Sequence, residues 1–290
     1  RDIVEYARQR HIVVVPEIDM PGHQLAALAA MPNLGCTGGP YKVGTVWGVY
    51  DDILCLGNED TYKFCEDVLS ELIDIFPSEV IHIGGDEAPT VRVEHCPKCQ
   101  ALMQREHLTP KNIQGYFTNR IEKFVNSKGR RIMGWDEIMD GDINTSAMVH
   151  CWRNPSFGIK AAQKGHDVVL SPTKYCYFDF YQANPRAVHE PLAIGGYLPV
   201  DSVYNMDTMP KDISPENRKH IIGIQANLWT EYVAVPNHAE YMLLPRMAAL
   251  AENAWVKDRG PYSAFLPRLT RLKSLYDVYN LHYANHVWKK

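Results

Sequence analysis

Residues 80–87 read VIHIGGDE, and this stretch decides how the rest of the chain is interpreted. Its apolar start predicts a short buried strand, and Gly84 and Gly85 allow a tight turn or a close approach of the backbone to a ligand. Asp86 and Glu87 follow where the strand becomes a loop. Adjacent carboxylates repel each other, so we expect at least one altered pKa, as general acid catalysis requires. The same pair also fits a surface turn in which Asp86 caps a helix.

Strands and helices alternate on both sides of this stretch. Apolar runs bounded by turn residues predict strands at 11–19, 80–83, 131–137, 147–152, 167–171 and 220–229. Apolar positions at helical spacing predict helices at 1–10, after His23, and at 59–76, 111–128, 157–164, 240–255 and 262–279. A strand regularly followed by a helix is typical of a parallel α/β fold.

Polar and aromatic side chains collect at the C-terminal ends of these runs: Asp19, Asp86, Glu87, Trp135, Asp136, Glu137, Trp152, Tyr177, Asp179, Trp229 and Glu231. A (β/α)8 TIM barrel carries its active site on that face. A doubly wound sheet would concentrate its site at one switch point, and the Gly-rich phosphate loop typical of that fold is missing. The sequence therefore predicts a (β/α)8 barrel.

The predicted barrel is short by two strands. A barrel of this class needs about 250 residues for its eight strand–helix units, and the chain starts at Arg1 inside a predicted helix. We expect the first strand, the first helix and the second strand to lie upstream of residue 1. No linker or low-complexity segment interrupts residues 1–290, so we predict one incomplete catalytic barrel domain that includes the C-terminal helices.

Charge and hydropathy exclude two classes of partner. The 290 residues carry a net charge of -4 with both signs interspersed, so no basic stripe is available for nucleic acid. No apolar run approaches the roughly 20 residues of a membrane span. The oligomeric state is left open.

The seven cysteines allow several interpretations. Cys36 and Cys55 bracket a loop rich in Gly and Tyr, and we expect a disulfide between them if the protein is exported. Cys96 and Cys99 form a C-x-x-C pair, which is half of a zinc-ribbon pattern, but no second pair follows at ribbon spacing. A local disulfide or two free thiols is therefore favoured over structural zinc.

Trp135, Trp152 and Trp229 stand at predicted strand ends. Barrel interiors favour branched aliphatic residues, whereas an indole at a strand end can present its flat face to a ligand. Sugars have apolar ring faces and hydroxyl edges, so aromatic faces among carboxylates indicate a sugar site. Packing between helix and strand would explain any one Trp equally well. Gln225 and Asn227 share a strand face with Trp229, so that face is not ordinary core.

Residues 82–87, HIGGDE, resemble the H-x-G-G-D-E signature of the family 20 glycoside hydrolases, the β-N-acetylhexosaminidases. Four further segments resemble other strand ends of that family in the same order: 16–23 (PEIDMPGH), 134–137 (GWDE), 177–179 (YFD) and 228–231 (LWTE). The resemblance runs from the first helix almost to the C-terminus. It implies neither a metal nor an organic cofactor.

The resemblance implies a retaining, substrate-assisted mechanism, an exception to the two-carboxylate scheme of most glycosidases. The substrate would be a glycan or glycoconjugate with a terminal N-acetylhexosamine, either GlcNAc or GalNAc. Its 2-acetamido oxygen would attack the anomeric carbon and give an oxazolinium intermediate. Glu87 would be the general acid and then the base. Asp86 would hold the acetamido N–H, and Tyr177 would orient the acetamido oxygen.

Sugar-binding roles follow from the same resemblance. Trp135, Trp152 and Trp229 would wall the acetamido pocket and the sugar ring. Asp179 and Glu231 would form hydrogen bonds to sugar hydroxyls.

Three polar residues near the carboxylate pair take a supporting role in the resemblance. Asp19, His23 and His82 would surround Glu87 and tune its pKa. For His82 alone, an inward-facing core histidine is an equally good interpretation. The sequence departs from the family in one respect, because the Arg that binds the sugar's 3- and 4-hydroxyls belongs to the first barrel strand, which this chain does not contain.

Two other functions remain open at this point. The chain could be a carbohydrate-binding relic of the fold without turnover. It could also be an ordinary retaining glycosidase that uses Glu87 and Glu137, whose carboxyl groups would then lie about 5–5.5 Å apart. An exported location, periplasmic, secreted or lysosomal-type, is favoured over the cytoplasm.

Overall fold

The structure, a computed structural model, describes residues 1–288 of the chain. Its strands lie within runs predicted as strands: β1 (Val80–His82), β2 (Arg131–Trp135), β3 (Met148–Cys151), β4 (Val168–Leu170) and β5 (Ile221–Ile224). Each strand is shorter than the predicted run.

The helices of the described residues follow the predicted order. They are α1 (Asp2–Arg8), α2 (Leu25–Ala30), α3 (Glu59–Ile75), α4 (Pro97–Arg105), α5 (Ile113–Ser127), α6 (Pro155–Gln163), α7 (Thr173–Cys176), α8 (Val200–Tyr204), α9 (Pro236–Leu243), α10 (Arg246–Trp255) and α11 (Tyr262–Val278). None of these helices is long and apolar enough to cross a membrane.

The chain divides into two compact units. The first comprises residues 1–150 and 160–168, and the second comprises residues 151–159 with the chain from 169 onward. In the first unit β1, β2 and β3 are neighbours in that order and pair in parallel. In the second unit, backbone hydrogen bonds join the end of β3 to β4 and β4 to β5.

The core of the first unit forms where α5 packs against β2 and α3. The ring centroids of Tyr62 on α3 and Phe117 on α5 lie 5.5 Å apart. Ile81 of β1 and Ile132 of β2 are fully buried in the same cluster. The first turn of α3 is capped by the side-chain oxygen of Asn58. This packing fixes the direction of β1 and hence the position of the turn that follows it.

The second unit has a helical layer of its own. Helix α8 packs against α10, and Tyr204 of α8 stacks on Phe265 of α11 with centroids 4.7 Å apart. The hydroxyl of Tyr204 donates to the Gly260 carbonyl at 2.9 Å. The buried side chain of Asn253 on α10 donates to the Val203 carbonyl at 2.6 Å. These polar contacts satisfy backbone groups that packing would otherwise leave buried without partners.

Residues 11–19 differ from the predicted strand. Only Glu17 forms a bridge, which pairs it in parallel with His82 of β1. Ile12 and Val13 are 58% and 69% exposed. A strand covered on both faces was therefore the wrong prediction for this apolar run, because within the described residues its backbone pairs only with β1, and only near its C-terminal end.

Two helical predictions also need correction. The helix predicted at 240–255 is two helices, α9 and α10, which are separated at Leu244 and Pro245. Pro245 lacks an N–H and clashes with the preceding turn, so it ends one helix and leads into the next. Helices α4, α7 and α8 were not predicted, although Pro97 occupies the first turn of α4, where proline is favoured.

The thiols of Cys36, Cys55, Cys65, Cys96, Cys99 and Cys176 form no disulfide within residues 1–288. The disulfide expected between Cys36 and Cys55 is not formed. Both sulfurs instead belong to a cluster with Cys96 and Cys99, in which the four sulfur atoms lie within 4.8 Å of one another.

Candidate active site

The turn after β1 is shaped by two glycines with left-handed backbones, Gly84 at φ 66° and Gly85 at φ 99°. A Cβ on Gly84 would stand 1.9 Å from Oδ1 of Asp19, so a larger residue does not fit there. The Gly85 N–H donates to the same Asp19 oxygen at 2.9 Å. The turn therefore draws Asp19 under the carboxylate pair, Asp86 and Glu87.

His23 lies between the two carboxylates. Its Nε2 is 3.5 Å from Oδ2 of Asp86 and 3.5 Å from Oε2 of Glu87. The side chain of Asp86 is 16% exposed and that of Glu87 is 38% exposed. Among the described residues, the buried Oδ1 of Asp86 has no hydrogen-bond partner. Asp86 therefore has an acceptor atom to offer to a ligand.

Asp19 and Asp86 have pKa values shifted in opposite directions. Burial, followed by the charge of Asp86, raises the pKa of Asp19 to about 9. Burial also acts to raise the pKa of Asp86, but hydrogen bonds from His23 and Asp19 outweigh it, so the pKa of Asp86 is lowered. At neutral pH Asp19 is protonated and Asp86 is ionised.

Glu87 and His23 also have shifted pKa values. Burial and the neighbouring Asp86 charge raise the pKa of Glu87, and His23 opposes that shift. The hydrogen bond to Asp86, with the charges of the nearby carboxylates, raises the pKa of His23 to about 9 against the effect of burial. A carboxyl group with a raised pKa retains its proton to a higher pH, as a general acid must.

Glu87 and His23 share a further feature, a left-handed backbone with φ of 45° and 55°. Residues other than glycine seldom adopt this conformation, which costs roughly 1–3 kcal/mol. Such residues cluster at functional sites, where the surrounding structure holds them in place. The backbone conformation supports a functional role for Glu87 and His23 independently of their charges.

Trp135, at the end of β2, is held on three sides. Its Nε1 donates to Oε1 of Glu17 at 3.0 Å. Its ring stacks on His150 with centroids 4.1 Å apart and planes 20° apart, and it meets His82 edge-on at 5.0 Å. Burial lowers the pKa of His150 to about 2, so this stacked ring is neutral. The indole is therefore rigidly placed.

His82 belongs to this group around Trp135. It is 3% exposed, and its Nε2 lies 3.3 Å from Nδ1 of His150. Its Nδ1 lies 3.2 Å from Oε1 of Glu17 and accepts the Gly84 N–H at 3.0 Å. The structure thus places His82 with Glu17, His150 and Trp135, while Asp19 and His23 contact the carboxylate pair. Sequence reasoning did not include Glu17 and His150 among the site residues.

In the second unit, Tyr177 follows the short helix α7. It bridges to Asn227 in parallel, and the Phe178 N–H donates to the Asn227 carbonyl at 2.7 Å. The ring of Trp152 stacks near that of Tyr177 with centroids 6.1 Å apart, and Trp229 lies at 6.5 Å from it. The three predicted aromatic residues of this unit thus form one group. Burial raises the pKa of Tyr177, so its hydroxyl stays protonated.

Asp179, Trp229 and Glu231 line one recess of the second unit. Asp179 is 4% exposed, and its buried Oδ1 has no hydrogen-bond partner among the described residues. Burial, together with the charge of Glu231, raises the pKa of Asp179 to about 6. Trp229 is 37% exposed and presents a large apolar surface there.

Arg246, which sequence reasoning missed, supports this segment from inside. It is fully buried on α10. Its Nη1 donates to the Phe180 carbonyl at 2.9 Å and to the Leu198 carbonyl at 3.1 Å, and its Nη2 donates to the carbonyls of Phe178 and Met242. Burial lowers the pKa of Arg246 to about 9. The guanidinium thus fixes the backbone on both sides of Asp179.

Residues 1–258 match the family described as Glycosyl hydrolase family 20, catalytic domain. The chain belongs to this family. It is 40% identical over 286 residues to the "Beta-hexosaminidase" of Porphyromonas gingivalis, a match that covers 98% of this chain and 37% of the relative. It is 36% identical over 258 residues to the "Beta-hexosaminidase" of Vibrio furnissii, which covers 87% of this chain and 42% of the relative.

A solved structure of the family supports the same assignment. The family 20 exo β-N-acetylglucosaminidase from Vibrio harveyi, crystallised with N-acetylglucosamine, superposes with a TM-score of 0.84 at 31% identity. The match covers 98% of this chain and 45% of that chain. The predicted fold class is confirmed, because family 20 catalytic domains are (β/α)8 barrels and the described residues of this chain contain a parallel sheet and helices. The chain spans less than half the length of these relatives.

Proposed function

We propose that the protein is a β-N-acetylhexosaminidase that removes terminal N-acetylhexosamine from glycans or glycoconjugates by retaining, substrate-assisted catalysis. One observation carries the proposal. Asp86 is ionised, has an unpartnered buried oxygen, and lies beside a Glu87 whose pKa is raised. An ionised acceptor next to an acid that keeps its proton to a higher pH than usual matches the needs of an acetamido nucleophile and a leaving group.

In the first half-reaction Glu87 gives its proton to the glycosidic oxygen, and the bond from that oxygen to the anomeric carbon breaks. The 2-acetamido oxygen forms a new bond to the anomeric carbon, and positive charge spreads over the oxazolinium ring. Asp86 accepts a hydrogen bond from the acetamido N–H and stabilises that charge. Tyr177 donates its hydroxyl proton in a hydrogen bond to the acetamido oxygen and orients it.

In the second half-reaction a water molecule attacks the anomeric carbon and gives a proton to the Glu87 carboxylate. The bond between the acetamido oxygen and the anomeric carbon breaks, which restores the acetamido group. Two inversions at one carbon give net retention of configuration. Glu87 ends the cycle protonated, ready for the next substrate.

Sugar recognition falls to the aromatic and acidic residues outside the carboxylate pair. Trp135, Trp152 and Trp229 wall the acetamido group and the sugar ring. Asp179 and Glu231 accept hydrogen bonds from sugar hydroxyls. The rigid placement of Trp135 and the unpartnered oxygen of Asp179 support these roles.

Asp19 and His23 set the charges of the pair in this proposal. The proton on Asp19 stabilises ionised Asp86, and protonated His23 counters the repulsion between Asp86 and Glu87. His82 acts on the wall residue Trp135 instead, because its contacts are with Glu17 and His150.

We extend the proposal to the domain organisation of the chain and to the cellular location of the protein. Residues 1–290, including the C-terminal helices, would belong to one catalytic barrel domain. The location would be outside the cytoplasm, where most glycoconjugate termini are exposed, and fractionation of the source cells would test it. A relic without turnover is the alternative, and it predicts sugar binding with no hydrolysis.

A panel of chromogenic glycosides tests the function. The proposal expects hydrolysis of the N-acetyl-β-glucosaminide or the N-acetyl-β-galactosaminide and little turnover of the plain β-glucoside and β-galactoside, which lack the nucleophile. A thiazoline analogue of the oxazolinium ion should inhibit. Equal turnover of plain and N-acetylated substrates would instead support an ordinary glycosidase that uses Glu87 and Glu137.

A further inference from the structure

Four cysteines of the first unit, Cys36, Cys55, Cys96 and Cys99, form a compact group that the proposed reaction does not use. We call them the cysteine cluster. All four sulfur atoms lie within 4.8 Å of one another. Three of the residues are buried and Cys36 is half-buried, so the sulfurs are largely withdrawn from water.

The sulfur separations match the edges of a tetrahedron. Cys55 Sγ lies 3.6 Å from Cys96 Sγ and 3.7 Å from Cys99 Sγ, and Cys36 Sγ lies 3.9 Å from Cys99 Sγ. A tetrahedral Zn²⁺ with Zn–S bonds of about 2.3 Å sets its sulfurs about 3.8 Å apart. A disulfide would join sulfurs in exclusive pairs at about 2.05 Å. Here Cys55 and Cys99 each have two near sulfurs, which is the pattern of four ligands around one centre.

The backbone is arranged to present these sulfurs together. Cys96 is the residue before α4 and Cys99 lies in its first turn, so one turn delivers two sulfurs to the same point. A Cβ on Gly57 would stand 2.2 Å from the backbone carbon of Lys98, so the Cys55 segment can approach α4 only with glycine there. The N-terminus of α4 favours negative charge on the sulfurs of Cys96 and Cys99.

We propose that the cysteine cluster binds one structural Zn²⁺ ion through four thiolates. Thiolates are soft ligands, and four of them in tetrahedral geometry select zinc over magnesium or calcium. Each thiol releases its proton to solvent when the Zn–S bond forms. With four protein ligands no coordination position is left for water or substrate, so the ion would be structural rather than catalytic.

The zinc would hold two segments that flank the carboxylate pair. The cluster ties the loop at 31–58 to the start of α4. The Leu54 N–H, next to Cys55, donates to the Pro21 carbonyl at 3.0 Å, close to His23. Helix α4 in turn follows the loop that leaves Glu87. Loss of the ion should therefore lower the unfolding temperature and loosen both His23 and Glu87.

Metal content of the purified protein is the first test. The protein is prepared in reducing, chelator-free buffer, and its metals are measured by inductively coupled plasma mass spectrometry. One zinc per chain is expected, with release when an organomercurial titrates the thiolates. Exchange with Co²⁺ should give thiolate-to-cobalt charge-transfer bands and the intense visible bands of a tetrahedral ion.

Matched variants locate the site. Cys55→Ser and Cys99→Ser should lose the zinc and unfold at a lower temperature, whereas Cys65→Ala, a buried cysteine outside the cluster, should retain it. If the serine variants do not fold, the cobalt spectrum of the unaltered protein decides whether thiolates bind the metal. Zinc retained in both serine variants overturns the proposal. Disulfides among these cysteines in unreduced peptides, or metal-free thiols in the purified protein, overturn it as well.

Discussion

Asp19 and Asp86 are neighbouring, partly buried carboxyl groups of which one is protonated and the other ionised. Their pKa values are shifted in opposite directions, upward for Asp19 and downward for Asp86. The carboxylate oxygens of the two residues lie within 4.8 Å of each other, so two negative charges there would repel each other strongly. A proton held on Asp19 removes that repulsion and becomes a hydrogen-bond donor to Asp86. The pair therefore behaves as a single negative charge located on Asp86.

Replacing Asp19 with Asn should leave most activity intact, because an amide copies a protonated carboxyl: its oxygen accepts the Gly85 N–H and its nitrogen donates to Asp86. Asp19→Ala removes a hydrogen bond to a charged group, worth about 1.5–3 kcal/mol, and should lower kcat/KM about 10- to 100-fold. Steady-state kinetics on an aryl N-acetylhexosaminide compare the two variants. If Asn were as damaging as Ala, Asp19 would act as a carboxylate.

Replacing Glu87 with Gln keeps the shape of the side chain and removes its titrating proton. Loss of a general acid typically lowers the rate ~10²–10⁴-fold. The loss should be large on substrates with poor leaving groups and smaller on activated aryl glycosides. Glu137→Gln is the matched control and should still hydrolyse the substrate with retention of configuration. Equal losses on both substrate classes would show that Glu87 is not the acid.

Replacing His23 with Gln should move the pH profile upward. Protonated His23 lowers the pKa of both Glu87 and Asp86, so its removal raises both values. Glu87 must be protonated for bond cleavage, which moves the alkaline limb of kcat/KM to higher pH. Asp86 must be ionised, which moves the acid limb to higher pH as well. His107→Gln, an exposed histidine, should leave both limbs in place. A downward shift of either limb contradicts the proposed charge state of His23.

Asp86→Asn and Tyr177→Phe should impair the nucleophile rather than the acid. Both variants should therefore lose the first chemical step even on activated aryl substrates, which need little proton donation. Loss of one preorganised hydrogen bond at developing charge costs about 10²–10³ in kcat. Pre-steady-state release of the aryl leaving group measures that step. Near-normal release by Asp86→Asn would refute its assigned role.

Replacing Arg246 with Met should destabilise the protein by about 3–5 kcal/mol, because the carbonyls around Asp179 lose their donors in a buried site. Lys should not rescue it fully, since an ammonium is a compact point charge that cannot span carbonyls on both sides of the guanidinium. Arg271→Met on the exposed face of α11 is the control and should change stability little. Urea unfolding measures the stability of Arg246→Met, Arg246→Lys and Arg271→Met. An Arg246→Met protein as stable as Arg271→Met would contradict the proposed structural role of Arg246.

The strands of the fold could be predicted because their apolar runs are short and end in polar residues. An apolar run also predicted a strand covered on both faces at residues 11–19, and there the prediction was wrong, because Ile12 and Val13 are exposed. Periodicity also joined α9 and α10 into one helix, because their apolar spacing continues across Pro245. Local pattern gives the type of an element more reliably than its limits or its burial.

Some residues of the candidate site could be predicted from the sequence and others could not. Asp86, Glu87 and Tyr177 lie in short motifs that can be recognised from neighbouring residues alone. Glu17, His150 and Arg246 act through contacts with residues far away in the chain, and a single sequence carries no signal of those contacts. For Glu17 a hint was present, since it shares a strand face with Asp19. An altered pKa in the Asp86 and Glu87 pair was predicted, but which carboxyl group would be raised and which lowered could not be, because that depends on burial and on His23 and Asp19.

At position 87 folding and turnover favour different residues. Glycine would adopt a φ of 45° without the steric penalty that glutamate bears, but glycine has no proton to give. Repeated rounds of selection for heat resistance alone would therefore favour glycine at this position and yield stable but inactive proteins. A screen for thermostable variants must score hydrolysis in every round to keep Glu87.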